Sequence, residues 1–508
     1  MHRSGFVIFT LTVLFSSPSM SAQQQRHDAA SRVELPTVTG PIPVTASSEP
    51  FNASSTQNVP VDLAKFGYVE EEYFVSGKAN VYQYGSDYSV QVKTAGAPYT
   101  TRILVRRPAD PRRFSGNVIV EPLNPSFNFD LPIMWAYSHD YFMRHGDIYV
   151  GITIKAVAIR ALKTFDPQRY APLSMANPLP TSETCSSPGW TPFLSFPQNE
   201  DGLVWDIITQ VGVLLRSKSA QAPLKNYDVQ YLYATGQSQT GSYVNSYVQD
   251  FHPSVKLPDG RHVYDGFLVN SSGRLIPINQ CATRLTVDDP HSVVHSDVPF
   301  IQTFTQTDVM DYAMQRRPDS DAAPDFYRRY EIGGASHATT YEFEFFPAGA
   351  ELTRAGVDPH SDEYRCAESF PNDFPVEYIY SGAFANLDRW VRSSEAPPSA
   401  PPVSTVKGTA GQNMFVTDAY GNVLGGVRSA YLDVPTSTFV ESSWGPACFT
   451  YFGHKIPFDR QRLDDLYPSH NAYARQVDAA VERMLGAGWI TAEDAKKIKI
   501  QASNAPIP

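Results

Sequence analysis

Short apolar runs of period two alternate with longer stretches of period three and four along most of this chain. Residues 68–77 and 79–82 read as two strands around a Ser76-Gly77-Lys78 turn, and 99–106 as a third, stopped by Pro108. Asn117-Val118-Ile119-Val120-Glu121 is a short, mostly apolar run suited to a buried sheet position. Beyond it the elements alternate. A helix over 131–144 follows Asp130 as N-cap, then a strand over 147–153, an apolar-faced helix over 203–216, and strands over 229–234, 264–270, 298–304 and 329–332. This order predicts a mostly parallel, helix-flanked sheet with ligands at the carboxyl ends of its strands.

Two long stretches break the alternation. Residues 154–200 are aromatic and Pro-rich, with Trp190, Phe193 and Phe196, and 271–296 form a second interruption. Structureless loops of that length are uncommon unless they are functional, so both are expected to be cap or lid insertions over the ligand face. Their aromatic rings suit either the cap's own core or contact with a bulky, apolar substrate group. Residues 23–60, rich in Pro, Ser, Thr and Gln, read as an extended or disordered leader, and 393–410 as a turn-rich linker. Near the end, 472–485 and 491–499 read as a packed helix pair with a capping signal at Thr491.

The candidate chemistry sits where the 229–234 strand passes through Gly236-Gln237-Ser238-Gln239-Thr240-Gly241 into a helical pattern. Strand, tight turn with a central serine, helix: this is the layout of a nucleophile elbow, with Thr240 where a second glycine is usual. Such a fold then requires an acid and a histidine, in that order. Asp308 stands just past the 298–304 strand, and His337 lies in Gly333-Gly334-Ala335-Ser336-His337, after the 329–332 strand. Asp311 is the alternative acid, and a helix cap is the alternative role for Asp308. Thr240 and Ser242 are rival hydroxyls, which helix periodicity points away from the turn apex. A histidine of near-neutral pKa can take the serine proton and return it to the leaving group, while a carboxylate fixes its tautomer. For the oxyanion, one donor is expected from the N–H of Gln239 and another from the loop after Glu121. Pro122 and Pro125 have no N–H, which leaves Leu123, Asn124 or Ser126; Asn124 is favoured because its side chain can also donate.

Together with Gly-Tyr-Val-Glu-Glu-Glu-Tyr-Phe-Val-Ser-Gly at 67–77, Val-Glu-Pro-Leu-Asn at 120–124 and Tyr467-Pro468-Ser469-His470, these motifs resemble the large alpha/beta hydrolase domain-containing family of bacteria and fungi. The similarity runs from about residue 60 to the end. It implies an α/β-hydrolase fold over 61–508, with an N-terminal β extension and the two cap insertions, and a Ser-Asp-His assignment carried onto Ser238, Asp308 and His337. It also implies that a non-glycine at 240 is tolerated. The expected activity is cleavage of small-molecule carboxylic esters through an acyl-enzyme, with no metal or organic cofactor. An amidase or peptidase on the same triad, and an inactive binding protein that kept the fold, are the alternatives.

Charge and cysteines narrow the setting. A formal net charge of −11, with no basic stripe, argues against nucleic-acid binding. Residues 1–22, with a basic start, an apolar core too short to span a bilayer and small residues near Ser21 and Ala22, read as a signal peptide. A secreted or periplasmic protein without membrane insertion is therefore expected. In that oxidising setting Cys185, Cys281, Cys366 and Cys448 are expected to form two disulfides. Three pairings are possible, of which Cys185–Cys281 with Cys366–Cys448 is favoured. No C-x-x-C spacing favours a metal, and oligomeric state is not readable.

Overall fold

The computed structural model describes residues 33–186, 194–360, 365–409, 411–446 and 448–507. The segment expected to be a signal peptide, the first part of the expected leader, Trp190 and Phe193 lie outside the described residues. One ten-stranded sheet organises the rest. Its strands are β1 (Thr37–Thr39), β2 (Tyr68–Tyr84), β3 (Val90–Pro108), β4 (Asn117–Pro122), β5 (Ile148–Ile152), β6 (Tyr231–Gln237), β7 (Gly266–Asn270), β8 (Phe300–Thr305), β9 (Ser320–Ala322) and β10 (Asp325–Ile332). Their spatial order is β1-β2-β3-β5-β4-β6-β7-β8-β10-β9. From β5 to β10 the neighbours run parallel, and the two edges are antiparallel. Every residue of β4, β5, β7 and β8 is buried, as strands covered on both faces require.

The helices that matter for the site are α1 (Ile133–His145), α2 (Ala156–Phe165), α3 (Val204–Arg216), α4 (Gln239–Ser246), α5 (Gln306–Tyr312), α6 (Glu377–Ser393), α7 (His470–Gly486) and α8 (Ala492–Ser503). α1 packs on α6, and α7 on α8. Thr491 caps α8 as expected, its hydroxyl accepting the Asp494 N–H at 3.2 Å. Asp130 does not cap α1. It is drawn instead to Arg102 and Thr153, and the buried Glu121 carboxylate accepts the Met134 and Trp135 N–H groups at 2.8 and 3.2 Å. Burial dominates there and pushes the Glu121 pKa up to about 7.

The expected turn at Ser76-Gly77-Lys78 is absent: β2 runs through it, with irregular register at Ala79–Tyr82. Gly77 meets a packing need instead, since a Cβ there would stand 2.4 Å from Gln210 Oε1 and 2.9 Å from the Tyr99 ring. The described part of the leader is an extended segment laid against the sheet, with β1 paired to β2 and Phe51 fully buried. Both favoured disulfides are formed, Cys185–Cys281 and Cys366–Cys448. No helix among the described residues is long and apolar enough to cross a membrane.

Candidate active site

β6 runs into α4 through Ser238, whose φ of 57° and ψ of −118° are strained for any residue with a Cβ. The strand and helix close on each other because of two glycines. A Cβ on Gly236 would lie 2.7 Å from the Thr240 carbonyl; one on Gly241 would lie 2.9 Å from Asn270 O and from Ser272 Cβ. The second small residue is thus needed three positions after the serine. Thr240 is buried there, with its hydroxyl donating to Gln237 O at 3.1 Å. Ser238 N–H donates to Asn270 O at 3.0 Å, fixing the turn apex to the end of β7. Ser242 is engaged with the Ser272 hydroxyl at 2.8 Å.

Asp308 lies in the first turn of α5, directly beyond β8, and its two carboxylate oxygens divide the work. Oδ2 accepts from the Thr305 N–H and hydroxyl at 2.9 and 2.6 Å; Oδ1 accepts from His337 Nδ1 at 2.7 Å. The cap and the histidine contact are therefore one arrangement. Asp311 is exposed and accepts from the Tyr451 hydroxyl at 3.3 Å. Burial works to raise the Asp308 pKa, yet the His337 ring and the hydrogen bonds from His337, Thr305 and Ser271 hold it below the usual carboxylate value. For His337, burial works downward and is outweighed by the charge and hydrogen bond of Asp308, so its pKa is raised. Its backbone is held on both sides: His337 N–H donates to Thr307 Oγ1 at 3.1 Å, and His337 O accepts from Gln237 Nε2 at 3.1 Å.

Ser238, Asp308, His337, Gln239 and Asn124 line one cavity of about 180 Å³. Among the described residues no hydrogen bond joins the Ser238 hydroxyl to the His337 ring, although both line this cavity. Gln239 is the first residue of α4, where an N–H has no acceptor within the helix. Asn124, also on the cavity wall, makes three bonds within the loop and to the elbow. Its N–H donates to Leu131 O at 2.9 Å, its Nδ2 to Gln237 O at 2.8 Å, and its Oδ1 accepts Ser126 N–H at 2.8 Å. Leu123 N–H likewise goes to Ile152 O at 2.8 Å. All three loop amides considered from the sequence are therefore occupied by the sheet and the loop itself, and Asn124 braces the elbow.

Residues 38–499 match the family described as "Alpha/beta hydrolase domain". The chain belongs to that alpha/beta hydrolase family. Among solved structures, it is similar to "esterase Est22" at 11% identity over 57% of this chain and 79% of that one, with a TM-score of 0.29. A pair of fungal esterases from Rhizomucor miehei gives 10% identity over 58% and 83%, with a TM-score of 0.31. An α/β serine hydrolase without lid from Xanthomonas campestris gives 11% over 56% and 93%, with a TM-score of 0.26. No curated protein matches.

In this alpha/beta hydrolase the two interruptions contribute differently. Residues 271–296 place Ser271, Arg274 and Arg284 on the cavity wall, whereas no described residue of 154–200 reaches it. Phe196 lies instead against the Arg160 guanidinium, 3.5 Å from ring centroid to Cζ. The Cys185–Cys281 disulfide joins the two segments. The hydrolase also brings Phe449 and Tyr451 to the cavity from far along the chain, and the Tyr451 ring tilts over His337 with centroids 5.2 Å apart. Only Cys448, next to Phe449, could have hinted at them, through a tether whose partner was open. Elsewhere, His252, His262 and Asp297 bring three ligand-type atoms within 4.8 Å of one another. Positive charge is already supplied there by Lys256, 3.8 Å from Asp297 Oδ2.

Proposed function

We propose that this alpha/beta hydrolase is an exported serine hydrolase that cleaves carboxylic esters of small molecules. Ser238 Oγ attacks the ester carbonyl carbon as His337 Nε2 takes its proton, giving a tetrahedral oxyanion. Collapse breaks the bond to the alcohol oxygen, which leaves with the proton from His337. Water then attacks the acyl-enzyme by the same route, releasing the acid and restoring Ser238. Asp308 orients the ring and favours its charged form. The oxyanion is held by the Gln239 N–H and by the Phe127 N–H, the next cavity-lining amide of the loop once Leu123, Asn124 and Ser126 have found acceptors.

The observation that carries this reading is the meeting of a strained serine and an Asp308-paired histidine on one cavity. Export is supported by the signal-like residues 1–22 and the two disulfides. A fluorophosphonate probe should label the wild-type protein and not Ser238→Ala. Equal labelling of both, or labelling of neither, would overturn the assignment. Matched ester and anilide substrates separate the acyl-transfer classes, and comparable rates on the two would make the protein an amidase.

A further inference from the structure

The cavity wall opposite in chain origin to the triad carries two guanidinium groups, Arg274 and Arg284, both from the 271–296 insertion. Arg274 is part-buried; its Nε is a fully buried donor with no acceptor. Among the described residues it takes part in no ion pair, and its contact is the face of Tyr312, 5.6 Å from Cζ to ring centroid. Tyr312 is itself on the cavity wall and buried. Leaving a cationic donor unpaired at such depth is costly unless something completes it.

Three carboxylates share the cavity wall, Asp308, Asp311 and Glu342, and among the described residues none is ion-paired with Arg274. Asp308 is taken by Thr305 and His337, and Asp311 accepts from the Tyr451 hydroxyl at 3.3 Å. A second guanidinium close by adds to the cost: burial, then the charge of Arg274, holds the pKa of Arg284 below its ordinary value. The segment is nonetheless held in place. A Cβ on Gly273 would come within 2.0 Å of Gln315 Oε1 and 2.7 Å of the Tyr312 ring, so the chain is pressed onto Tyr312 just before Arg274. Cys281, three residues before Arg284, is fixed by its disulfide to Cys185. Two cations thus line one packed and tethered wall of the cavity, in a protein of net charge −11.

We propose that Arg274 and Arg284 form an anion subsite, so that the substrate is an ester bearing a carboxylate remote from the bond that is cleaved, as in the half-ester of a dicarboxylic acid. The inference rests on the ester-hydrolase reading above, and its test separates the two. Wild type would be given the 4-nitrophenyl ester of adipate with its second carboxyl free, and the same compound with that carboxyl methylated. The free acid should be preferred by about tenfold in kcat/KM, chiefly through KM, and high salt should shrink the preference. Arg274→Gln should collapse the ratio, and Arg274→Lys should keep part of it. Cleavage of both esters without preference, or an unchanged ratio in Arg274→Gln, would overturn the subsite and leave the hydrolase reading standing. If neither ester were cleaved, calorimetry with adipate itself would decide: Ser238→Ala should bind it and Ser238→Ala/Arg274→Gln should not. Absence of binding to the first, or equal binding to both, would sink the proposal.

Discussion

His337 Nδ1 meets Asp308 Oδ1 at 2.7 Å, while the other oxygen of the same carboxylate caps the helix that carries it. The capping contact holds the carboxylate in place, so the ring is aimed by the secondary structure of the acid. This relationship sets the pH dependence. In the proposed mechanism His337 must be neutral to act as base, and its pKa is raised because Asp308 outweighs burial. The acid limb of kcat/KM should therefore lie above the ordinary histidine value of about 6.5. In Asp308→Asn the downward pull of burial loses its main opponent, so that limb should move to lower pH while kcat falls by roughly 10³–10⁴. A pH–rate profile of both proteins checks this; an unmoved limb would remove Asp308 from its proposed role.

Ser238 stores strain. Its φ of 57° with ψ of −118° costs about 1–3 kcal/mol for a residue with a Cβ. Glycine avoids that cost and loses about 0.4–1 kcal/mol through the freer unfolded chain. Ser238→Gly should therefore be more stable than Ser238→Ala by roughly 1 kcal/mol, with both inactive. Urea unfolding of the pair measures it, and an Ala variant as stable as the Gly variant would contradict the strained turn.

The alternation of apolar periods was enough to give the parallel sheet and its order of elements, because strands buried on both faces leave nearly continuous apolar runs. Ser238, Asp308 and His337, which meet at one cavity, were legible for a related reason: each lies within five residues of the end of a strand, where the topology brings the ends together. What was not legible depends on distant partners. Asp130 carries an N-cap signal, yet Arg102 competes for it from the neighbouring strand system. Asn124 is a good donor in isolation, and its backbone N–H and one side-chain N–H go to Leu131 and Gln237, contacts that no local pattern encodes. Arg274 and Arg284 lie in a segment without periodicity, so nothing along the chain marks the side chains that turn inward.

The run Glu70-Glu71-Glu72 illustrates the same limit and yields a stability test. Glu72 is buried, and its carboxylate binds Arg102, Arg169 Nε at 2.6 Å and the Tyr170 hydroxyl at 2.9 Å. Arg102 and Arg169 are buried as well. Replacing one partner of a buried charge network strands the others, at about 3–5 kcal/mol. Glu72→Gln should lower stability by that amount although it removes no volume, whereas Glu34→Gln on the exposed leader should change little. Denaturant midpoints of the two variants decide it, and a near-neutral Glu72→Gln would mean that the two arginines find other acceptors.

The displaced glycine of the elbow makes the final test. In the usual pattern the second small residue comes two after the nucleophile; here position 240 is a buried threonine bonded to Gln237 O at 3.1 Å, and the close approach to β7 occurs at Gly241. A methyl at 241 would meet Asn270 O, the same oxygen that receives the Ser238 N–H, so pushing α4 outward must also move the serine. Gly241→Ala should cost about 1–3 kcal/mol by overpacking. It should also lower kcat by roughly 10²-fold, the penalty for a displacement near 1 Å. Thr240→Ser, which keeps the hydroxyl bond, should retain its rate. If Gly241→Ala kept full activity while Thr240→Ser lost it, the elbow would close at 240 after all, and the spacing read from the structure would be wrong.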